Sequence, residues 1–183
     1  MRRRTTLLAL ATLPLAAQAE PAAPLPPELR SELPQARLLG DGRLRYFRLP
    51  IYDIRLWGHD PALLAEPASA KLALELQYAR ALSGQRIAER SLQEMQALET
   101  VDAAQAARWL AQMQRLFPDV EKGDRVTGVQ HPGQSARFFV NGAPRGEVRD
   151  ADFTRLFFGI WLSPRTSQPQ LRAALLGLKV AGS

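Results

Sequence analysis

Cysteine is absent from the 183 residues, and histidine occurs only as His59 and His131. The first absence excludes disulfides, thiolate nucleophiles, thiolate zinc sites and iron–sulfur clusters. The second leaves no HExxH or HxxxH spacing for a histidine metal centre, and each histidine stands beside a turn signal, Asp60-Pro61 or Pro132-Gly133. No G-x-S-x-G elbow is present for serine hydrolysis. Gly40-Asp41-Gly42 lacks the third glycine of a dinucleotide loop and reads as a turn. The acids stand where caps and turns are expected (Asp41, Asp102, Asp124, Asp150) or on polar helix faces (Glu89, Glu94, Glu99), and capping or solvation explains each. No catalytic role is therefore assigned to these residues, and no metal site or cofactor is expected.

Basic runs are also missing beyond the N-terminus. The net charge of +6 falls to +3 without Arg2, Arg3 and Arg4, and the other cations are scattered arginines, which argues against nucleic acid as a partner. No later stretch approaches the roughly 20 apolar residues of a membrane span. What the N-terminus does hold is a cationic Met1–Arg4, an apolar Leu7–Ala16 and the small-x-small Ala17-Gln18-Ala19. This pattern predicts a signal peptide over residues 1–19, cleaved after Ala19, and a periplasmic or secreted chain with no stable membrane insertion after cleavage. Residues 20–35, rich in Pro, Ala and Glu, read as a linker, and a single domain is expected over 36–180.

Alternation of period two predicts strands at Arg43–Leu49 and Ile51–Trp57, bulged or bent where Pro50 interrupts them. Lys71–Tyr78 is a third, with Leu72, Leu74, Leu76 and Tyr78 on a buried face and a polar face opposite. Ser83 caps a helix to about Leu98, and Asp102 with Gln105 opens a second that Pro118 ends. Strands follow at Arg125–Gln130, Ala136–Val140 and Arg145–Val148, with Asn141-Gly142 as a hairpin turn. Phe153, Leu156, Phe157, Ile160 and Trp161 then fall on one face of a helix capped by Asp150, with Phe158 and Leu162 widening the apolar arc. That helix must be covered on more than one side. A last helix runs from about Gln168 to Leu176, closed by Gly177. Strands and helices segregated in blocks predict an α+β fold, an antiparallel sheet backed by a helical layer.

Arg43, Arg45, Arg48 and Arg55 lie close in the chain to Tyr46, Tyr52 and Trp57. A guanidinium beside a phenol at the mouth of an apolar cavity can clamp a carboxylate or phenolate. Outward arginines paired with Asp41, Asp53 or Glu75 are the plainer alternative.

Several stretches resemble the bacterial chalcone isomerase-like proteins. They are Gly40-Asp41-Gly42-Arg43-Leu44-Arg45-Tyr46-Phe47, Ile51-Tyr52-Asp53-Ile54-Arg55-Leu56-Trp57, Tyr78-Ala79-Arg80 with Ser83-Gly84, Phe117-Pro118-Asp119-Val120 with Gly123-Asp124, and Phe157-Phe158-Gly159-Ile160-Trp161-Leu162. The resemblance implies the open-faced β-sandwich of chalcone isomerase. It further implies either cyclisation of a chalcone or, as in the non-catalytic members, fatty-acid binding by an arginine and a tyrosine. The tyrosine, asparagine and hydroxyl positions of the plant isomerases fall at Thr100 or Val101, near Ala107 and near Gly159, none of which keeps the plant residue. The arginine position falls at Leu44, between Arg43 and Arg45. The resulting expectation is a non-catalytic, exported binder of an apolar small molecule such as a fatty acid, with Arg43, Arg45, Tyr46 and Tyr52 as ligand-binding residues. An isomerase (intramolecular lyase) and a structural envelope protein with a filled core are the alternatives.

Overall fold

The computed structural model describes residues 23–59 and 65–178. The expected signal peptide, residues 1–19, lies outside the described residues. The elements are a single helical turn α1 (Leu29–Glu32), β1 (Arg37–Tyr46), β2 (Leu49–Gly58), β3 (Leu72–Tyr78), α2 (Gly84–Leu98), α3 (Ala103–Leu116), β4 (Arg125–His131), β5 (Ser135–Val140), β6 (Ala143–Val148), α4 (Ala151–Leu162) and α5 (Pro169–Leu176). The six strands form one antiparallel sheet in chain order. The α+β architecture expected from the blocks is therefore present. Among the described residues, no helix is long and apolar enough to cross a membrane.

The helix caps follow from side-chain oxygens that accept the first free amides. Ser83 accepts from the Arg86 amide, Asp102 from Gln105 and Asp150 from Phe153. Helix α4 is the centre of the larger core. Phe153, Leu156, Phe157, Phe158, Ile160, Trp161 and Leu162 are all buried, facing Leu72, Leu74, Leu76 and Phe138 of the sheet and Met95 and Leu98 of α2. Phe153 and Phe157 stack at 5.5 Å, and Phe138 meets Phe157 edge-on at 5.1 Å. Such pairs add directional preference to the burial itself.

Three local expectations change. Gly40-Asp41-Gly42 is not a turn but lies inside β1, opposite Leu56, Arg55 and Ile54. The glycines are there because α5 crosses the strand closely: a Cβ on Gly40 would sit 2.2 Å from the Leu175 carbonyl oxygen, and one on Gly42 would sit 2.5 Å from Leu171 Cδ1. The reversal falls instead at Phe47-Arg48, making β1 and β2 a hairpin with a register shift between Leu44 and Arg45. The strand at residues 145–148 begins earlier, at Ala143, directly after the Asn141-Gly142 turn.

The third change concerns the linker expected at residues 20–35. Its described part packs on the outer face of the sheet. Leu29 and Leu33 are fully buried and join Trp57, Ala73, Val129 and Phe139 in a second apolar cluster. Glu28 is buried as well, accepting from Arg125 Nη2 at 2.9 Å and from Thr127 Oγ1 at 2.6 Å. This cover explains why the face of β3 expected to be polar is closed at Ala73 and Glu75, while Gln77 stays exposed. Ala73 is fully buried, and Glu75 is buried while accepting from Trp57 Nε1 at 2.8 Å. Two leucines one helical turn apart are too short a pattern to stand out in a proline-rich stretch.

Asp150 serves two elements. One carboxylate oxygen caps α4, and the other accepts from Trp109 Nε1 of α3 at 2.8 Å. Asp150→Ala should therefore destabilise the fold by about 2 to 3 kcal/mol, the cap contributing about 1 and the stranded indole N–H the rest. Urea denaturation checks this, and a loss near zero would contradict it.

Candidate functional site

A cavity of about 430 Å³ lies between the helix-facing side of β1–β5 and helices α2 and α4. Its volume falls within the range of small-molecule pockets. Its deep walls are buried and apolar: Leu74, Leu76, Phe117, Phe138, Phe157 and Ile160. Gly128 of β4, paired with Leu74, adds backbone where a side chain would otherwise occupy the floor. The most exposed lining residues are Arg45, Tyr46, Arg86, Arg90 and Ser167, so the cavity opens on that side.

Two phenols reach the interior. Tyr52 accepts from Trp161 Nε1 at 2.9 Å, which ties β2 to the C-terminal end of α4 and leaves the phenol proton free to donate. Tyr78 packs edge-on to Tyr52 at 5.8 Å. Removal from water pushes both phenols well above the ordinary value, the Trp161 hydrogen bond pulling only partly against this at Tyr52 and the neighbouring Tyr52 adding to it at Tyr78. At neutral pH both are therefore uncharged donors.

The mouth carries the charge. Arg86 and Arg90 project from successive turns of α2, and Arg90 is paired with Glu94, four residues on. Among the described residues, neither Arg45 nor Arg86 forms an ion pair. The opening thus has an excess of positive charge above an apolar interior.

The four residues expected at the site separate. Tyr52 lines the interior, Arg45 the mouth, and Tyr46 the rim, where it is mostly exposed. Arg43 does not line the cavity. It pairs across the strands with Asp53, its Nη2 donating to Oδ2 at 2.8 Å, on the sheet face opposite Tyr52. That pairing holds the Asp53 carboxyl below its ordinary range. Leu44, Arg45 and Tyr46 all reach the lining although they are consecutive, which strict alternation would forbid. The register shift at Leu44/Arg45 gives the reason, since a bulge re-aims side chains at the end of a strand.

Tyr78, Arg86, Arg90 and Trp161 were missed by the sequence reading. Tyr78 and Trp161 carried only the signal of core positions, whereas Arg86, Arg90 and Glu94 stood at i, i+4, i+8 on α2, a spacing that marks one shared face. Thr100, Val101, Ala107 and Gly159, to which the resemblance assigned the tyrosine, asparagine and hydroxyl positions, are not among the cavity-lining residues. Gly159 instead lets α4 approach α2, where a Cβ would sit 3.0 Å from Leu98 Cδ1.

The sequence profile described as chalcone isomerase-like matches residues 47–177. The chain belongs to the chalcone isomerase-like family. An uncharacterized protein of Haemophilus influenzae is 30% identical over 106 residues, covering 58% of this chain and 52% of that protein. The chain thus spans about half the length of the curated relative it matches. The crystal structure of the Arabidopsis thaliana fatty-acid binding protein AtFAP1 superposes with a TM-score of 0.62 at 14% identity, covering 77% of this chain and 86% of that one. That likeness establishes the chalcone isomerase-like fold for this chain.

The raised phenols give a pH dependence with a defined sign. Because the folded pKa lies above the unfolded one, the unfolded chain loses these protons first, so stability is full below the ordinary value of 10.0 and declines as pH rises through it. Replacing Tyr52 and Tyr78 together by Phe should flatten that alkaline decline in chemical denaturation series; an unchanged slope would contradict the buried placement.

Proposed function

We propose that this chalcone isomerase-like protein binds an apolar small molecule with an anionic end, a long-chain fatty acid in particular, without transforming it. The observation that carries this reading is the distribution of polarity in the cavity: apolar and aromatic walls in depth, unpaired arginines at the opening. A carboxylate at the mouth can accept from Arg45 and Arg86, and its chain gains about 0.8 kcal/mol per methylene buried against Leu74, Leu76 and Phe138. A guanidinium fork suits a planar carboxylate. The named activity of AtFAP1 agrees with this choice of ligand class.

Two features weigh against isomerase chemistry. Glu94 is the one carboxylate among the described lining residues, and it is engaged with Arg90. The Tyr52 and Tyr78 phenols are held protonated, and no histidine is among the described lining residues. An open cavity likewise weighs against a purely structural protein with a filled core. Action outside the cytoplasm is part of the proposal and rests on the Met1–Ala19 pattern; an exported form beginning at Glu20 would support it, and a retained Met1 would oppose it.

Titration of delipidated protein with fatty acids of increasing length, by displacement of a fluorescent acid, tests the reading. Arg45→Ala should weaken binding about three- to tenfold, a modest loss because the side chain is exposed. Gly128→Leu, which fills the floor, should shift preference to shorter acids. Absence of both displacement and a thermal shift with long-chain acids would overturn the proposal, as would accelerated loss of chalcone absorbance.

A further inference from the structure

Among the described residues, the large hydrophobic side chains left exposed are Tyr46 at 66%, Phe47 at 82%, Leu49 at 55% and Leu178 at 47%. Three of these four lie within four consecutive positions at the tip of the β1–β2 hairpin. The Tyr46 and Phe47 rings meet edge-on at 4.5 Å, so they form one compact wedge rather than two independent side chains. Arg45 and Arg48 flank them, and among the described residues neither forms an ion pair.

The backbone of this tip is unusual for the residues it carries. Both turn positions are left-handed, with φ of 46° at Phe47 and 66° at Arg48. The β5–β6 hairpin makes the same kind of turn with Asn141 and Gly142, the residues that tolerate it. An aromatic side chain in that conformation is disfavoured, and backbone strain of this kind clusters at functional sites.

We propose that the β1–β2 hairpin tip docks on an anionic lipid bilayer, the Tyr46–Phe47 wedge entering the interface and Arg45 and Arg48 meeting lipid phosphates. Aromatic rings and arginines are suited to this boundary because each joins an apolar body to a polar or charged group. The tip is also the rim of the cavity, since Arg45 and Tyr46 line it. Docking therefore turns the opening toward the acyl region, which on the ligand reading above is where a fatty acid would be collected or released.

Co-flotation of the purified protein with vesicles tests this without any ligand. Wild-type protein should float with equimolar phosphatidylcholine and phosphatidylglycerol and much less with phosphatidylcholine alone. The double variant Phe47→Asn, Arg48→Gly gives this turn the residues of the other hairpin. It should keep or raise the melting temperature while lowering vesicle partition by at least about tenfold. Unchanged partition of the variant, or no flotation of the wild type, would overturn the assignment. A lipid-independent dimer abolished by the same variant would also overturn it, giving the tip to a second copy. Fatty-acid titration in the absence of vesicles is read separately: vesicle binding with no acid bound would overturn the ligand reading and leave the docking tip standing.

Discussion

The fold depends on burying one twelve-residue helix on nearly every side. A helix bearing Phe153, Phe157, Phe158, Ile160 and Trp161 cannot keep a face in water without a large loss of apolar burial, so it requires partners both above and below. The sheet supplies one surface, and α2, α3 and α5 supply the others. Asp150 makes the arrangement specific rather than merely greasy, because a single carboxylate starts α4 and fixes α3 against it. At the far end of the same helix, Trp161 reaches across to the Tyr52 hydroxyl and anchors the strand that carries the cavity wall.

The cavity is a consequence of how that packing ends. Between α2 and the first strands the apolar layer is not filled, and the polar groups nearby divide into two sets. The interior has neutral phenols, as expected where desolvation disfavours charge. The cations remain at the opening, where water can still reach them. The ligand proposed above, with one charged end and an apolar body, would meet both sets at once. The outer face shows the opposite solution to the same problem. There, buried Glu28 and Glu75 are balanced by arginines and by an indole and a hydroxyl donor, and the short α1 turn seals the sheet with Leu29 and Leu33.

Much of this was legible in the chain. The alternation of Leu72, Leu74, Leu76 and Tyr78, the capping residues Ser83, Asp102 and Asp150, and the Asn141-Gly142 turn each state a local preference that the tertiary structure respects. Two readings failed for a common reason. Gly40 and Gly42 looked like turn residues, and their role came from a helix more than a hundred residues away in the chain. The proline-rich segment before Ala36 looked free, and its burial depended on a sheet face that local pattern described as polar. Arg43 and Arg45 show the same limit at the site. Their composition suggested an anion clamp, but which of them meets the cavity turned on a register shift of one residue.

By itself, the sequence determined the element types from β1 onward, most of their ends, the core helix and the lack of any thiol, because these follow from residue identity and short-range spacing. Only the tertiary structure decided that Arg45 rather than Arg43 lies at the opening, that Tyr78, Arg86 and Arg90 share the cavity with Tyr52, and that the first hairpin exposes its aromatic tip. These outcomes depend on strand register and on contacts between distant segments. A period-two pattern is unchanged in its composition when a bulge turns the following side chain toward the other face.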